Sequence, residues 1–498
     1  MLLQRVKPLA RILAEGRDAQ HGLKRSLGPW ALTAMGIGAI IGTGIFVLTG
    51  VASATRAGPS LTLSFVVAGF VSALAALCYA EVSSKIPISG SAYTYTYATM
   101  GELLAWIVGW ALVLEYALGA STVSVGWSGY FTFIVKTLFN WNIPQAWQHS
   151  HWDATPGIAN LPAAAIIFLI TALLVRGTKE SGTVNGVIVT IKVLVVLFFI
   201  AVGVGHINPA NYHLPPGPQT GAGGFFPFGV FGMLGGAAFI FFAYIGFDAV
   251  STTAEEAKNP SKDLPFGIIA SLIICTLLYI VVVAILNGMV PFNTLNVNFP
   301  VAYAVDSVGL AWAGVIISFG AIAGLTTVLL VMMYGQTRVF YAMSRDGLIP
   351  ALFVKLHPTW RTPWLSQILF GIVIAVAGAL FPINILGSLT NMGTLSAFVL
   401  VSIAVPILRK RHPEMRGSFT VPLGPYVIPI LSAIAAFCLI LFLAVGNPLV
   451  WGFFPLVWLG FLIWFAVGLV IYFSYGRKKS TVALEEAEGL AVRQPRVN

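Results

Sequence analysis

The chain has 498 residues, of which 58% are hydrophobic and only 9% are charged, and its mean hydropathy is +0.89. Soluble domains carry about 25% charged residues, so this chain has too few polar side chains to cover a water-exposed surface, and a soluble protein is excluded. The three cysteines, Cys78, Cys275 and Cys438, each lie inside an apolar run. That placement indicates buried thiols and argues against a disulfide framework or a metal site.

Long apolar runs fill most of the chain between residues 30 and 475. A helix needs about 20 apolar residues to cross the hydrocarbon core of a membrane. Twelve runs fit this length, and they predict an all-α integral membrane protein with twelve transmembrane helices. The predicted spans are 30–54, 60–84, 101–135, 161–176, 184–206, 229–255, 265–290, 311–337, 364–381, 388–408, 425–446 and 452–475.

The basic residues indicate which side of the membrane the termini occupy. With twelve spans both termini lie on one side, and all but three of the 27 lysines and arginines fall on that side. Arg56 and Lys136 fall on the opposite side, and Lys192 falls within a span. Cytoplasmic loops are enriched in Lys and Arg, which predicts a multi-pass protein of the cell (inner or plasma) membrane with cytoplasmic termini. The net charge of +10 is thereby explained without nucleic acid as a partner.

The segments outside the spans are less informative. Residues 1–29 are basic with apolar residues near helical spacing, which predicts either an interfacial helix on the cytoplasmic membrane surface or a solvated tail. Residues 476–498 are predicted to be a cytoplasmic tail. The loop 136–160 is predicted to be external and polar, and its sequence indicates no function.

Four glycines crowd the middle of the first span: Gly36, Gly38, Gly42 and Gly44. One interpretation, a dinucleotide-binding loop, needs a preceding strand that this chain lacks. A second is close packing of two helices through the Gly38-x-x-x-Gly42 pattern. A third is an unwound stretch that interrupts the helix near Gly42-Thr43-Gly44.

The sixth span favours the third interpretation. It carries Gly246 and the ionisable Asp248 in the middle of an apolar run. A broken helix is tolerated in a membrane where its backbone lines a cavity, and interrupted spans at matching positions of two halves are typical of a transporter binding site. The two interrupted spans stand five apart, and five is odd, so a five-span repeat would be inverted in the membrane.

An interrupted pair of this kind suits a zwitterionic amino acid. The half-helix that starts near Thr43 would offer N–H groups and the positive end of its dipole to a carboxylate. The half-helix that ends near Ile40, together with the interrupted sixth span, would offer free carbonyls to an ammonium group. The predicted substrate-binding residues are Ile40, Ile41, Gly42, Thr43, Gly44, Phe242, Ala243, Ile245 and Met333.

Three ionisable residues are predicted to lie inside spans. Lys192 would lie roughly 10 Å inside the hydrocarbon, where a lysine costs about 3 kcal/mol unless it snorkels to the interface. We interpret it as a proton carrier that contacts the carbonyls near Gly42 and Thr43. Glu115 would either receive a cationic side chain or bond to a neighbouring helix. Asp248 is predicted to hold the interruption of the sixth span through a hydrogen bond.

The eighth span bears on substrate choice. If Met333 faces the substrate side chain, it shortens the pocket and favours small neutral amino acids such as alanine; plain packing is the alternative. The sequence shows no acidic cluster suited to a guanidinium group, which also favours neutral substrates. Uptake of arginine or lysine remains the alternative.

Several motifs in fixed order resemble the bacterial cationic amino acid transporter family of the amino acid–polyamine–organocation superfamily. They are GTGIF at 42–46, YAE at 79–81, PISGSAY at 87–93, FAYIGFD at 242–248 and YGQTR at 334–338. The resemblance covers about residues 25–475. It implies a five-plus-five inverted repeat with discontinuous first and sixth helices, made by residues 30–206 and 229–408, with 425–475 as two added helices.

The resemblance also carries expectations about mechanism. It implies alternating access, with Phe242 as an aromatic lid over the substrate. In related proton-coupled members a lysine on the fifth span replaces the cation site of sodium-coupled relatives, and Lys192 matches that position. The expected protein is thus a proton-coupled amino acid symporter that is not an enzyme and needs no cofactor besides the coupling proton. An obligate amino acid or polyamine exchanger is the alternative, and a small single-span membrane protein is a candidate partner.

Overall fold

The computed structural model describes residues 5–8, 27–86, 91–153, 155–177, 182–254, 256–415, 417–447, 449–450 and 454–487. Within these residues the protein is nearly all-helical, and the helices are numbered in chain order. They are α1 (Pro29–Ile40), α2 (Thr49–Ala52), α3 (Leu61–Lys85), α4 (Ser91–Thr99), α5 (Glu102–Phe139), α6 (Leu161–Arg176), α7 (Gly182–Gly203), α8 (Gly229–Ile240), α9 (Pro260–Met289), α10 (Pro300–Ser307), α11 (Ala311–Arg345), α12 (Trp364–Leu380), α13 (Ile383–Arg411), α14 (Val427–Phe442), α15 (Leu456–Ile471), α16 (Arg477–Lys479) and α17 (Thr481–Ala487).

Eight continuous helical stretches of the described chain are long and apolar enough to cross a membrane, judged by length and composition. Four further apolar helices, α1, α6, α12 and α14, have 10–17 residues. The predicted class, an all-helical multi-pass membrane protein, is confirmed, while the number of twelve crossings stays a prediction. Three elements were not predicted from the sequence: α4, α10, and an antiparallel hairpin of β1 (Leu449–Val450) and β2 (Phe454–Pro455).

The two longest helices, α5 and α11, lie against each other, and small residues allow their close approach. A Cβ atom built on Gly335 of α11 would stand 3.2 Å from the ring of Tyr116 on α5. One on Gly119 of α5 would stand 3.1 Å from the sulfur of Met332 on α11. The pair thus forms a close-packed wall beside which the other helices are placed.

The first and last described segments meet at one end of the bundle, which we call the inner end. The Arg5 Nη1 donates to the Arg477 carbonyl at 3.0 Å, and the Lys7 ammonium lies 2.8 Å from the Asp346 carboxylate. Lys7 is 4% exposed, so residues 5–8 pack into the protein and are not helical. The predicted interfacial helix is therefore wrong for these four residues, because a buried ion pair holds them; residues 1–4 and 9–26 lie outside the described residues.

Candidate functional site

The interruption predicted in the first span is present. Helix α1 stops at Ile40, and Ile41 has extended backbone angles, φ −71° and ψ 103°, which cannot continue an α-helix. Helical structure resumes through Thr43 into the turn Gly44–Leu48. The last turn of α1 therefore has carbonyl groups without helical donors, as every helix end does.

Two side chains from other helices bind these carbonyls. The Lys192 Nζ on α7 donates to the Gly38 carbonyl at 2.6 Å, and the Tyr279 hydroxyl on α9 donates to the Ile40 carbonyl at 2.8 Å. Lys192 lies beside this interruption as predicted, but its partner is Gly38 and not the carbonyls of Gly42 and Thr43. The reason is geometric, since the free carbonyls belong to the last turn of α1, which ends at Ile40, before Gly42 and Thr43. Tyr279 was not predicted, because a tyrosine in an apolar run carries no distinguishing signal.

Lys192 does not snorkel to an interface. It is 1% exposed, and its side chain lies against Gly324 of α11, where a Cβ atom would stand 3.1 Å from the lysine Cε. Lys192 can lie beside α1 because Gly38 has no side chain, which leaves room for Val189 of α7 to pack against the α1 backbone. The glycines of α1 and α11 thus let the lysine reach the backbone at the interruption.

The sixth predicted span is interrupted in a similar way. Helix α8 ends at Ile240 and is followed by the 3₁₀ turns Phe241–Tyr244 and Asp248–Thr253. Between the turns, Gly246 has φ +119°, a conformation that residues with a Cβ atom rarely adopt. The Asn391 side-chain amide on α13 donates to the carbonyls of Ala238 and Phe239 at 2.9 and 2.6 Å.

The two interruptions lie directly against each other. A Cβ atom built on Gly44 would stand 2.2 Å from the Ala243 Cα, and one on Gly246 would stand 2.8 Å from the Ala39 carbonyl. Both contacts are with backbone atoms that cannot move aside as a flexible side chain can. Glycine is therefore required at both positions for the interruptions to meet, which explains Gly44 and Gly246.

Glu115 and Asp248 line one small cavity beside this contact, together with Ala39, Ile245 and Met332. The cavity has a volume of about 20 Å³, which is room for one water molecule. An amino acid needs considerably more space, so this cavity does not accommodate one in the present conformation. Glu115 and Asp248, far apart in the sequence, are thus brought together by the fold.

The two carboxyl groups differ in their partners. The Asp248 Oδ1 accepts a hydrogen bond from the Gly246 N–H at 3.3 Å, which is the structural bond predicted for it. The Asp248 Oδ2 and both carboxyl oxygens of Glu115 have no hydrogen-bond partner in the part of the chain that the structure describes. A buried polar group without a partner is costly, so an ionisable side chain in this setting is a candidate functional residue.

The remaining predicted site residues surround the contact without lining this cavity. Ile40, Ile41, Gly42, Thr43, Gly44, Phe242 and Ala243 are all buried at the two interruptions. The Thr43 hydroxyl has no hydrogen-bond partner among the described residues. On α11 the structure places Met332, and not Met333, on the cavity, since consecutive helical residues point about 100° apart and only one can face a given neighbour.

Comparison with known proteins agrees with this architecture. A sequence model of the amino acid permease family matches residues 27–474. The chain is 48% identical to the methylthioribose transporter of Bacillus subtilis over 96% of this chain and 98% of that protein. It is 49% identical to the branched-chain amino acid permease BcaP of the same organism over 94% and 96% of the two chains.

More distant relatives include the vacuolar cationic amino acid transporter 4 of Arabidopsis thaliana, which is 39% identical over 80% of this chain and 65% of that protein. The family resemblance inferred from the motifs is confirmed by these matches. The chain belongs to the amino acid permease family, and with it to the amino acid–polyamine–organocation superfamily of membrane transporters.

Proposed function

We propose that this protein takes up amino acids across the cell membrane by proton-coupled symport, with small neutral amino acids such as alanine favoured. The observation that carries the proposal is the 2.6 Å bond from the buried Lys192 ammonium to the Gly38 carbonyl. A titratable group then holds the backbone of the interrupted helix that contacts the substrate. Gaining or losing one proton changes the strength of that bond, because charged donors bind carbonyls more strongly than neutral ones.

Alternating access follows from the same arrangement. A protonated Lys192 holds α1 in place, and its deprotonation weakens that hold and permits the segment before Gly42 to move. Since the interruptions touch at Gly44 and Ala243, substrate binding requires a second arrangement in which they are separated. The proton and the amino acid therefore act on the same structural element, which couples them without direct contact.

A twelve-pass, inverted-repeat architecture is supported by paired contacts. If residues 30–206 and 229–408 are the repeats, α1 and α8 are the first helices of the two repeats. Helices α7 and α13 are then the fifth helices. Helix α1 contacts α7 and α9, and its counterpart region at α8 contacts α13 and α3. Both fifth helices place a donor on a carbonyl two residues before the helix end: Lys192 on Gly38 and Asn391 on Ala238.

Only one of these two equivalent donors can titrate. The amide of Asn391 donates at any pH, so the second interruption is held permanently, while the bond of Lys192 depends on its protonation. In this architecture the pair 425–475 is an addition to the repeats, and we infer from the basic loops that the inner end faces the cytoplasm. A single-span partner protein stays a prediction.

Uptake of arginine or lysine is the second candidate, and one observation favours it. Glu115 and Asp248 line one cavity with three carboxyl oxygens unpartnered, which is the kind of acidic pair that could hold a cationic side chain. The names of the relatives do not decide between the candidates, since they include a methylthioribose transporter, a branched-chain permease and cationic transporters. We favour neutral substrates because Met332 occupies the wall beside Glu115 and Asp248, which leaves less room for a long cationic side chain than for a short neutral one.

Uptake by the purified protein in liposomes tests the proposal. We expect labelled alanine to accumulate under an inward proton gradient and to be released when a protonophore is added. Arginine accumulation in place of alanine would establish the second candidate. Transport that ignores the proton gradient but requires internal amino acid would make the protein an exchanger and contradict symport.

The cavity wall provides a separate prediction about substrate size. We expect Met332→Ser to widen the range of accepted amino acids, because it shortens by about two heavy atoms the side chain in the wall that faces Glu115 and Asp248. Competition of unlabelled amino acids against alanine uptake measures that range. Met333→Ser is the matched control, and a wider range in that variant alone would show that the adjacent methionine faces the substrate.

A further inference from the structure

Arg56 is buried at the end of the bundle opposite the inner end, which we call the outer end. It belongs to the turn Ser53–Ala57, in the helical segment that follows the first interruption, and it is 1% exposed. No carboxylate of the described residues lies within 4.0 Å of its guanidinium. A buried charge without an opposite charge is costly, so the position calls for a physical reason.

The guanidinium is held by neutral groups alone. Its Nη1 donates to the Val445 carbonyl, its Nη2 lies 3.5 Å from the Ser388 hydroxyl, and its Cζ lies 4.4 Å from the centre of the Phe239 ring. The Nε has no partner among the described residues. Close packing is completed by Gly446, where a Cβ atom would stand 3.1 Å from the Arg56 Cγ.

These contacts join parts of the chain that belong to different elements. Phe239 lies on α8 just before the second interruption, Ser388 lies on α13, and Val445 lies in the turn after α14. One side chain thus ties the outer half of the first interrupted helix to the second interrupted helix and to α13 and α14. Any outward movement of that half-helix away from α13 and α14 must break these bonds.

The absence of an acidic partner makes the tie reversible. A buried ion pair leaves an uncompensated charge when it is broken, which would oppose opening strongly. Arg56 instead gives up hydrogen bonds to neutral acceptors, and its guanidinium regains hydration when it reaches water. Release of Arg56 therefore leaves no charged partner behind among the described residues, so the tie can be broken and re-formed in a transport cycle.

The same turn borders an accessible space. A cavity of about 310 Å³ at the outer end is lined by Val51, Thr55, Thr132, Thr155 and Asn384, among others. Val51 and Thr55 precede Arg56 on the same helical segment, and Val51 is 3% exposed. Release of Arg56 would let this segment move and widen the cavity towards the interruptions.

We propose that Arg56 is the outer clasp of the transport cycle, a positioning residue whose release accompanies opening of the site to the outside. The proposal rests on alternating access as proposed above. In the proposed function the proton is bound by Lys192 and not by Arg56. The contacts of Arg56 therefore do not depend on which ion or amino acid is transported.

Cysteine labelling tests the clasp without reference to any substrate. Val51→Cys is placed in a Cys438→Ser background, because Cys438 is exposed while Cys78 and Cys275 are buried. A membrane-impermeant thiol reagent is added from outside, and the labelling rate is measured with and without Arg56→Ala. We expect the rate to rise about fivefold to tenfold, the shift that loss of one net hydrogen bond produces in an equilibrium.

Three further measurements separate the clasp from a general structural defect. Thr155→Cys, exposed in the same cavity, should label at the same rate in all variants. Lys136→Ala, which removes the exposed outer lysine, should leave Val51→Cys labelling unchanged. Arg56→Lys retains the charge but lacks the planar fork that reaches the Val445 carbonyl and the Ser388 hydroxyl together, so its labelling should fall between those of the parent and Arg56→Ala. It carries the test if Arg56→Ala does not fold.

Transport kinetics supply the second readout. A larger outward-open fraction should lower the KM for external amino acid and lower kcat, since binding becomes easier and closure slower. Unchanged labelling of Val51→Cys in Arg56→Ala and Arg56→Lys would overturn the clasp, even if transport works as proposed. Absence of transport in the parent with raised labelling in Arg56→Ala would instead retain the clasp and reject the proposed function.

Discussion

Lys192→Met is expected to abolish accumulation of amino acid driven by a proton gradient. Methionine fills a similar volume but cannot donate to the Gly38 carbonyl or carry a proton, so protonation and the position of α1 become independent. Counterflow exchange, which needs no proton gradient, should persist in this variant at a reduced rate. The measurement is alanine uptake in liposomes at several external pH values, with counterflow in the same preparation.

Two more variants strengthen this prediction. Lys192→Arg is expected to lose proton-driven accumulation too, because arginine stays charged and its bulkier head must fit against Gly324. Ile191→Met, an exposed neighbour on α7, should transport like the parent. Unchanged pH-driven accumulation in Lys192→Met would reject Lys192 as the coupling residue, and the lysine would then be a structural donor equivalent to Asn391.

Gly44→Ala is expected to lower the initial rate of uptake by about 100-fold or more, as a displacement of about 1 Å in a reacting or binding geometry does. The added Cβ would stand 2.2 Å from the Ala243 Cα, so the backbones of the two interruptions must move apart at this contact. Because the obstructing atoms belong to the backbone, no rotamer change relieves the overlap. Uptake of alanine by equal amounts of folded protein, checked by gel filtration, measures the effect.

A graded series of glycines serves as control. Gly42→Ala meets only the end of the Val328 side chain at 3.1 Å, which can shift by a few tenths of an ångström, so a smaller loss is expected. Gly186→Ala on α7 has no atom within 4 Å and should be silent. Parent-like uptake by Gly44→Ala would mean that the contact between the interruptions is not part of the transport cycle.

The interruption sites could be predicted because their signal is local. A continuous helix in lipid is built from apolar residues that satisfy its backbone hydrogen bonds. A glycine cluster or an aspartate in the middle of a span departs from this pattern and can be recognised from the sequence alone. The long apolar runs, the asymmetry of Lys and Arg, and the isolated Lys192 are local in the same sense. They were sufficient for the membrane class, for the position of the two interruptions and for the position of Lys192 beside the first of them.

The partners of those residues depend on contacts between distant segments. Nothing in the sequence near Lys192 specifies Gly38 as its acceptor, since that depends on the angle at which α7 crosses α1 and on where α1 ends. Met332 and Met333 are chemically identical neighbours, and only the rotation of α11 decides which one faces Glu115. The sequence likewise showed no acidic cluster that could bind a cationic side chain. The fold brings Glu115 and Asp248 to one cavity, so a cationic substrate is again a candidate.

By itself, then, the sequence determined three things: that the protein is a membrane protein, at which residues two of its helices are interrupted, and that Lys192 lies inside a span. Each of these follows from residue type and spacing along one chain. The tertiary structure decided which groups meet: Lys192 with Gly38, Gly44 with Ala243, Glu115 with Asp248, and Arg56 with Val445. Each of these pairs joins segments that are distant in sequence. Their contact is set by helix packing, which no local pattern encodes.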